Sequence, residues 1–150
     1  MAEQLPPTID PVAAARWHAG APATSPWLHE EVARRMDDRL QWIRQAPAAW
    51  CDWDPLRGGI EGHHLVARRY PEAACLIAET SSDAGRAQAQ ARFAMPWWNP
   101  TRWAGKAPRF GLPQDGGVQL LWSNMALHVA ANPQALIAQW HRALAVWTAI

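Results

Sequence analysis

Only two cysteines occur in the 150 residues, Cys51 and Cys75, too few and too far apart for a disulfide framework or a zinc site. Both fall in predicted strands, where a reduced thiol packs as a small hydrophobe. No apolar run approaches the roughly 20 residues of a membrane span. The opening "MAEQLPPTIDP" has neither the basic start nor the apolar stretch of a secretion signal. Cytoplasm is therefore the expected compartment, with no membrane partner. The net charge of +1 lacks the electrostatic footprint of a nucleic-acid binder, so none is expected. Neither a phosphate loop nor a Ser-His-Asp set is present. No metal is expected, and no catalytic residue can be named from spacing alone.

Aromatic residues are scarce except for one type. There are eleven tryptophans against one tyrosine and two phenylalanines. Such a count suggests large interior packing units or an aromatic contact surface, and interior packing is the reading favoured here. Trp97, Trp98 and Trp103 stand together in the loop "MPWWNPTRWAGKAPRFGLPQDGG". They suit either a stacking or partner patch, or a loop pinned onto the fold by its indoles.

Residues 1 to 24 carry Pro6, Pro7, Pro11 and Pro22 and read as an arm, with a short helix around Val12 to Trp17. The remainder, 25 to 150, reads as one domain. Ser25 before Pro26 predicts a helix cap. Leu28, Val32, Met36, Leu40 and Ile43 follow at helical spacing, giving one apolar face. "AAWCDWD" at 48 to 54 predicts a buried strand, and a glycine-bearing turn leads to a helix from Ile60 to Arg69. A second strand is predicted at 73 to 79, then a helix capped by Ser81 or Ser82 and running to about Phe93. A short strand is possible near Arg109 to Leu112. "VQLLWSN" at 118 to 124 is nearly continuous in apolar residues, as parallel strands are. Asn132 before Pro133 caps a last helix, with Leu136, Ile137, Trp140 and Leu144 on its apolar stripe. Alternating strands and helices imply an α/β fold with right-handed crossovers.

In open α/β sheets, ligands bind beyond the carboxyl ends of the strands. The tip after the first strand, "DWDPLRGG", offers backbone amides at a helix start, which suit an anion. Glu79 ends the second strand, either as an acceptor for a ribose diol or as an ordinary solvated acid. Ser123 and Asn124 end the strand at 118 to 124. His128 follows, as a structural histidine or as a side chain facing the cleft. His63 and His64 are adjacent on a helix, point apart, and are expected to be solvated.

Three segments carry a resemblance. "LLWSNMALHVAANPQALIAQWHRAL" at 120 to 144, "LVARRYPEAACLIAE" at 65 to 79 and, weakly, "FGLPQDGGVQLL" at 110 to 121 resemble class I S-adenosylmethionine-dependent methyltransferases. More narrowly, they resemble the carboxyl O-methyltransferases of biotin synthesis. The resemblance runs from about residue 27 to 145. It implies a Rossmann-like sheet in the order 3-2-1-4, with 25 to 45 as the lid region. It also implies S-adenosylmethionine as cofactor, with Asp52, Gly58, Gly59, Glu79 and Asn124 around it and His128 on the substrate side. The substrate implied is a carboxylate on an acyl-carrier-protein thioester. The sulfonium already activates the methyl group, so alignment supplies most of the acceleration.

Two departures from the family pattern stand beside it. Its Gly-x-Gly-x-Gly turn keeps only Gly58 here, because Asp54 and Leu56 replace the first two glycines. Side chains there are expected to obstruct the methionine moiety, although Asp54 could instead pair with the cofactor's amino group or sulfonium. The family's sheet also continues for three more strands where this sequence ends "AVWTAI". A frameshift near Val146 would account for that ending. Two functions follow: a methyltransferase, or a non-catalytic degenerate form of the fold acting as an interaction module or arising from a disrupted gene. The unpaired edge of the strand at 118 to 124 predicts a homo-oligomer.

Overall fold

A computed structural model describes residues 9 to 20 and 24 to 146. The tail from Trp147, and the prolines of the arm at 6, 7 and 22, lie outside the described residues. The elements in chain order are α1 (Pro11–Ala19), α2 (Trp27–Leu40), β1 (Ala49–Trp53), α3 (Pro55–Gly58) and α4 (Ile60–Arg69). After them come β2 (Ala74–Ala78), α5 (Asp83–Phe93), a π-helical turn (Arg102–Lys106), β3 (Arg109–Phe110) and β4 (Leu120–Ser123). A 3-10 turn (Leu127–Val129) and α6 (Pro133–Ala143) complete the fold.

The sheet is parallel in the order β3-β2-β1-β4, the α/β arrangement that the alternation predicts in the Rossmann-like order that the resemblance implies. Register explains its two faces. Trp50 and Asp52 of β1 pair with Cys75 and Ile77 of β2 and with Leu120 and Trp122 of β4. Side chains alternate along a strand, so these six share a face. That face packs on α2, α4 and α5 through Ala33, Leu40, Val66, Ala89 and Phe93. The alternate residues Cys51, Trp53, Ala78 and Leu121 pack against α6 through Leu136, Trp140 and Ala143.

Helix α2 approaches α4 very closely. A Cβ on Gly62 would lie 2.6 Å from the Ala33 Cβ, so only glycine permits this contact. The result seats α2 directly over the first turn of α4.

Several local expectations are corrected. Ser25 makes no cap on α2, whose N-cap residue is Pro26; its hydroxyl turns instead to Glu30 and to α4. The helix also ends at Leu40, leaving Ile43 outside and exposed. By contrast, Ser82 and Asn132 do cap α5 and α6, accepting from Gly85 N and Ala135 N at 2.9 Å each.

The tryptophans divide differently from the interior reading. Trp50, Trp53 and Trp122 are core residues, while Trp17, Trp27, Trp42, Trp97, Trp98 and Trp103 are exposed. The loop indoles do not pin the loop onto the sheet: Trp97 is 71% and Trp103 79% exposed, and Trp103 Nε1 donates to the carbonyl of Trp97 within the loop.

At the far side of β4 the tail after α6 gives a single bridge, Val118 to Leu144, supported by Ala145 N donating to Val118 O at 2.8 Å. Among the described residues, Leu120 to Ser123 have no strand partner on that side. No helix of the described residues is long and apolar enough to cross a membrane.

Candidate functional site

The carboxyl ends of β1, β2 and β4 lie side by side in the sheet, with α3 following β1 and α2 joined to the tip of β4 through Asn124. Asp52 is buried at 2% exposure, and His63 Nδ1 lies 2.8 Å from its Oδ2. Burial pushes the Asp52 carboxyl up, and the His63 hydrogen bond opposes it. His63 is itself buried among Trp50 and Phe93, with ring centroids at 5.3 and 4.5 Å. The expectation of a solvated His63 is wrong, and the reason was readable: Ile60, His63 and Val66 recur at helical spacing on the inward face of α4. His64 is exposed.

Asp54, where the family has its first glycine, adopts φ 54 and ψ 53. That left-handed conformation is the one glycine takes freely and Asp tolerates. It turns the chain from β1 into α3. The carboxylate bridges to the neighbouring tip, accepting from Thr80 N at 2.6 Å and from Thr80 Oγ1 at 2.9 Å. Burial first, then the nearby Glu79, pushes its pKa up to about 7.

Leu56 does not stand in the cleft as expected. It turns inward against the cluster of Ile60, Ile77, Ala89 and Phe93. This strand tip is occupied by the short helix α3, with α2 seated beside it.

The amides at the start of α4, the group expected to face a ligand's anion, already have acceptors within the chain. Ile60 N donates to Ser25 Oγ at 3.3 Å, Glu61 N to Glu30 Oε1 at 3.3 Å and Gly62 N to Glu30 Oε2 at 3.1 Å. A carboxylate at a helix N-terminus is favourable for the same reasons that a bound anion would be. Gly59, at φ 137, makes room for it: a Cβ there would lie 2.9 Å from Glu30 Oε2. No local pattern announces this cap, since Glu30 stands more than two dozen residues before α4.

Asn124 is buried, and its Nδ2 donates to the carbonyls of His29, at 2.8 Å, and Gly58. It therefore staples β4 to α2 and α3. Gly58 fits closely beneath it, since an added Cβ would lie 3.0 Å from the Asn124 carbonyl oxygen. His128 is exposed and meets Trp17 edge-on at 5.9 Å between centroids. The Arg57 guanidinium lies 3.4 Å from the centre of the Trp17 ring and donates to the Trp17 carbonyl at 2.7 Å. Helix α1 is thereby docked on α3 and on the 3-10 turn after β4.

Glu79 is 7% exposed. Its Oε1 accepts from Ser81 Oγ at 2.5 Å, while Oε2 is buried with no hydrogen-bond partner among the described residues. Burial pushes this carboxyl up, and the Ser81 hydroxyl together with the nearby backbone amides of Ser81 and Leu56 opposes the shift. Beside it lies a cavity of about 400 Å³ whose walls include Ile77, Thr80, Arg86, Phe110 and Leu112. Of these groups, Glu79 borders the open cavity, whereas the first amides of α4 and the Asp54 carboxylate already have partners within the chain.

Among known proteins, the chain is 32% identical over 126 residues to a malonyl-[acyl-carrier protein] O-methyltransferase of Laribacter hongkongensis (strain HLHK9). The alignment covers 79% of this chain and 41% of that protein, so the chain spans less than half of the relative's length. No family model and no solved structure matches. The chain is thus similar to a methyltransferase of this kind, and its sheet is Rossmann-like.

Proposed function

We propose that this methyltransferase-like chain keeps the nucleoside end of an S-adenosylmethionine cleft and closes the amino-acid end with its own side chains. It transfers no methyl group as it stands. The observation that carries this reading is the capping of α4 by Glu30 and Ser25. A cofactor carboxylate seeking those amides has to displace a tethered carboxylate, which competes at high effective concentration. The Asp54 to Thr80 clasp reinforces the closure.

A second reading is an active methyltransferase acting on a carboxylate of an acyl-carrier-protein thioester. It is favoured by the unpartnered Glu79 Oε2 and by the substrate in the relative's name. The experiment that separates the two is titration calorimetry with S-adenosylmethionine, run beside a methyl-transfer assay on a malonyl thioester of a carrier protein. The proposal expects no binding tighter than about 1 mM, the weak end of the affinity scale, and no transfer. Micromolar binding with turnover establishes the second reading instead.

A further inference from the structure

We infer that a cavity at the amino ends of β1 and β2 binds a small anion with a planar apolar body, an aromatic carboxylate or phosphate ester. It lies at the end of the sheet opposite the strand tips, so it is independent of the proposed closure there.

The first observation is the cavity itself. Its volume of about 470 Å³ falls within the about 300–1,000 Å³ typical of small-molecule pockets. Trp50 near the start of β1, Cys75 near the start of β2 and Tyr70 just beyond α4 line it. Trp50 and Cys75 are partners in register, and Tyr70 packs against the same core cluster. Two aromatic rings and a small thiol make an apolar wall that suits a flat body, which can stack on them or meet them edge-on.

The second observation is the sign of the charge around that wall. His64, Arg68 and Lys106 also line the cavity, and no carboxylate does among the described residues. Arg68 pairs with no acid among the described residues, whereas Arg69 beside it is held by Asp37 at 2.7 Å. Lys106 reaches Glu72 at 2.8 Å, an exposed acid outside the lining. The Arg68 guanidinium offers a planar fork of donors, the geometry that matches carboxylate and phosphate oxygens. The loop that supplies Lys106 belongs to a stretch from Ala84 to Gln114 in which Arg86, Arg92, Arg102, Lys106 and Arg109 stand without a single acid. The field on this side of the molecule favours an anion.

The third observation is a reporter within the cavity. Burial first, then the His63 ring, holds the His64 imidazole below its usual range; Arg68 and Arg92 add to this, and Glu61 opposes it. An anion seated beside Arg68 favours the charged imidazolium. Filling the site therefore raises the His64 pKa.

The test uses the intact chain in titration calorimetry with 2-naphthoate, 2-naphthyl phosphate and the uncharged 2-naphthamide. At least one of the two anions is expected to bind with a Kd below about 1 mM. The amide is expected to bind about tenfold or more weaker, as loss of a charge-assisted hydrogen bond requires. Whichever anion binds tighter identifies the head group, carboxylate or phosphate. Arg68→Gln, checked for folding by circular dichroism, is expected to weaken the anion by a similar factor and to leave the amide unchanged. A proton NMR titration of the histidines is expected to show the His64 pKa rising when the anion is present. No binding of either anion at millimolar concentration overturns the inference. Equal affinity for anion and amide overturns it too, because the cations then recognise nothing. Anion binding that ignores Arg68→Gln, or that leaves His64 unmoved, places the probe elsewhere and overturns it as well.

Discussion

Replacement of His63 by Ala probes the buried pair beneath the strand tips. The side chains of Asp52 and His63 are 2% and 7% exposed, so neither is screened by solvent. Removing one partner of a buried pair typically costs about 3–5 kcal/mol. Two further effects act in opposite directions. The lost imidazole leaves a cavity against Trp50 and Phe93, which adds to the cost. The Asp52 carboxyl, already pushed up by burial, can respond by taking a proton, which subtracts from it. We therefore expect a loss near the lower end, about 3 kcal/mol. At about 2–4 °C per kcal/mol for a domain of this size, the melting point falls by about 6–12 °C. Asp52→Asn keeps an acceptor for the ring and removes the buried charge, so its cost should be only about 1 kcal/mol. Equilibrium urea unfolding followed by far-ultraviolet circular dichroism measures both. A His63→Ala loss under about 1 kcal/mol, or an Asp52→Asn loss equal to it, would refute this account of the pair.

Asn124→Ala leaves the His29 and Gly58 carbonyls without the amide that now serves them. A loss of about 1–3 kcal/mol in the same unfolding assay is expected, and a neutral substitution would show that the staple is unimportant. Asp54 has its pKa raised from 3.8 to about 7, so the folded state binds this proton more tightly than the unfolded one. Its contribution is complete below pH 3.8 and is lost as pH rises through about 7. Asp54→Asn should flatten that decline in a series of urea midpoints, and an unchanged slope would contradict the assignment. The edge at Leu120 to Ser123, unpaired among the described residues, is expected to recruit a second copy of the chain. Light scattering at about tens of micromolar checks this, and a clean monomer would show that the edge is protected.

The sheet was legible because its strands are short apolar runs with a strong helix stop or cap between them. Pro71 separates α4 from β2, and Ser82 and Asn132 begin α5 and α6 as their types predict. Once those elements alternate, the right-handed crossover leaves few arrangements. Glu79 was legible as the acid ending β2, although its orphaned oxygen is visible only in three dimensions. Glu30 was not legible as a cap for α4, since the contact joins two helices through a glycine-mediated close approach at Gly59 and Gly62. The tryptophans misled for a related reason. Indoles serve surfaces as readily as cores, and nothing local distinguishes Trp50 in β1 from Trp42 beyond the end of α2. Leu56 shows the opposite case: it was expected to obstruct the cleft, and only the backbone of α3 shows that it turns against Ile60, Ile77 and Phe93 instead.

The claim on which the account turns is that the chain's own carboxylates close the amino-acid end of the cleft. The most direct measurement compares S-adenosylhomocysteine binding to the wild-type chain and to the double variant Glu30→Ala/Asp54→Gly, by titration calorimetry on samples whose folding has been verified. The variant frees the Glu61 and Gly62 amides and places glycine at the left-handed position after β1. Its affinity is predicted to rise about tenfold or more, the gain expected when a charge-assisted acceptor site becomes available. An unchanged affinity, or micromolar binding already present in the wild-type chain, would contradict it.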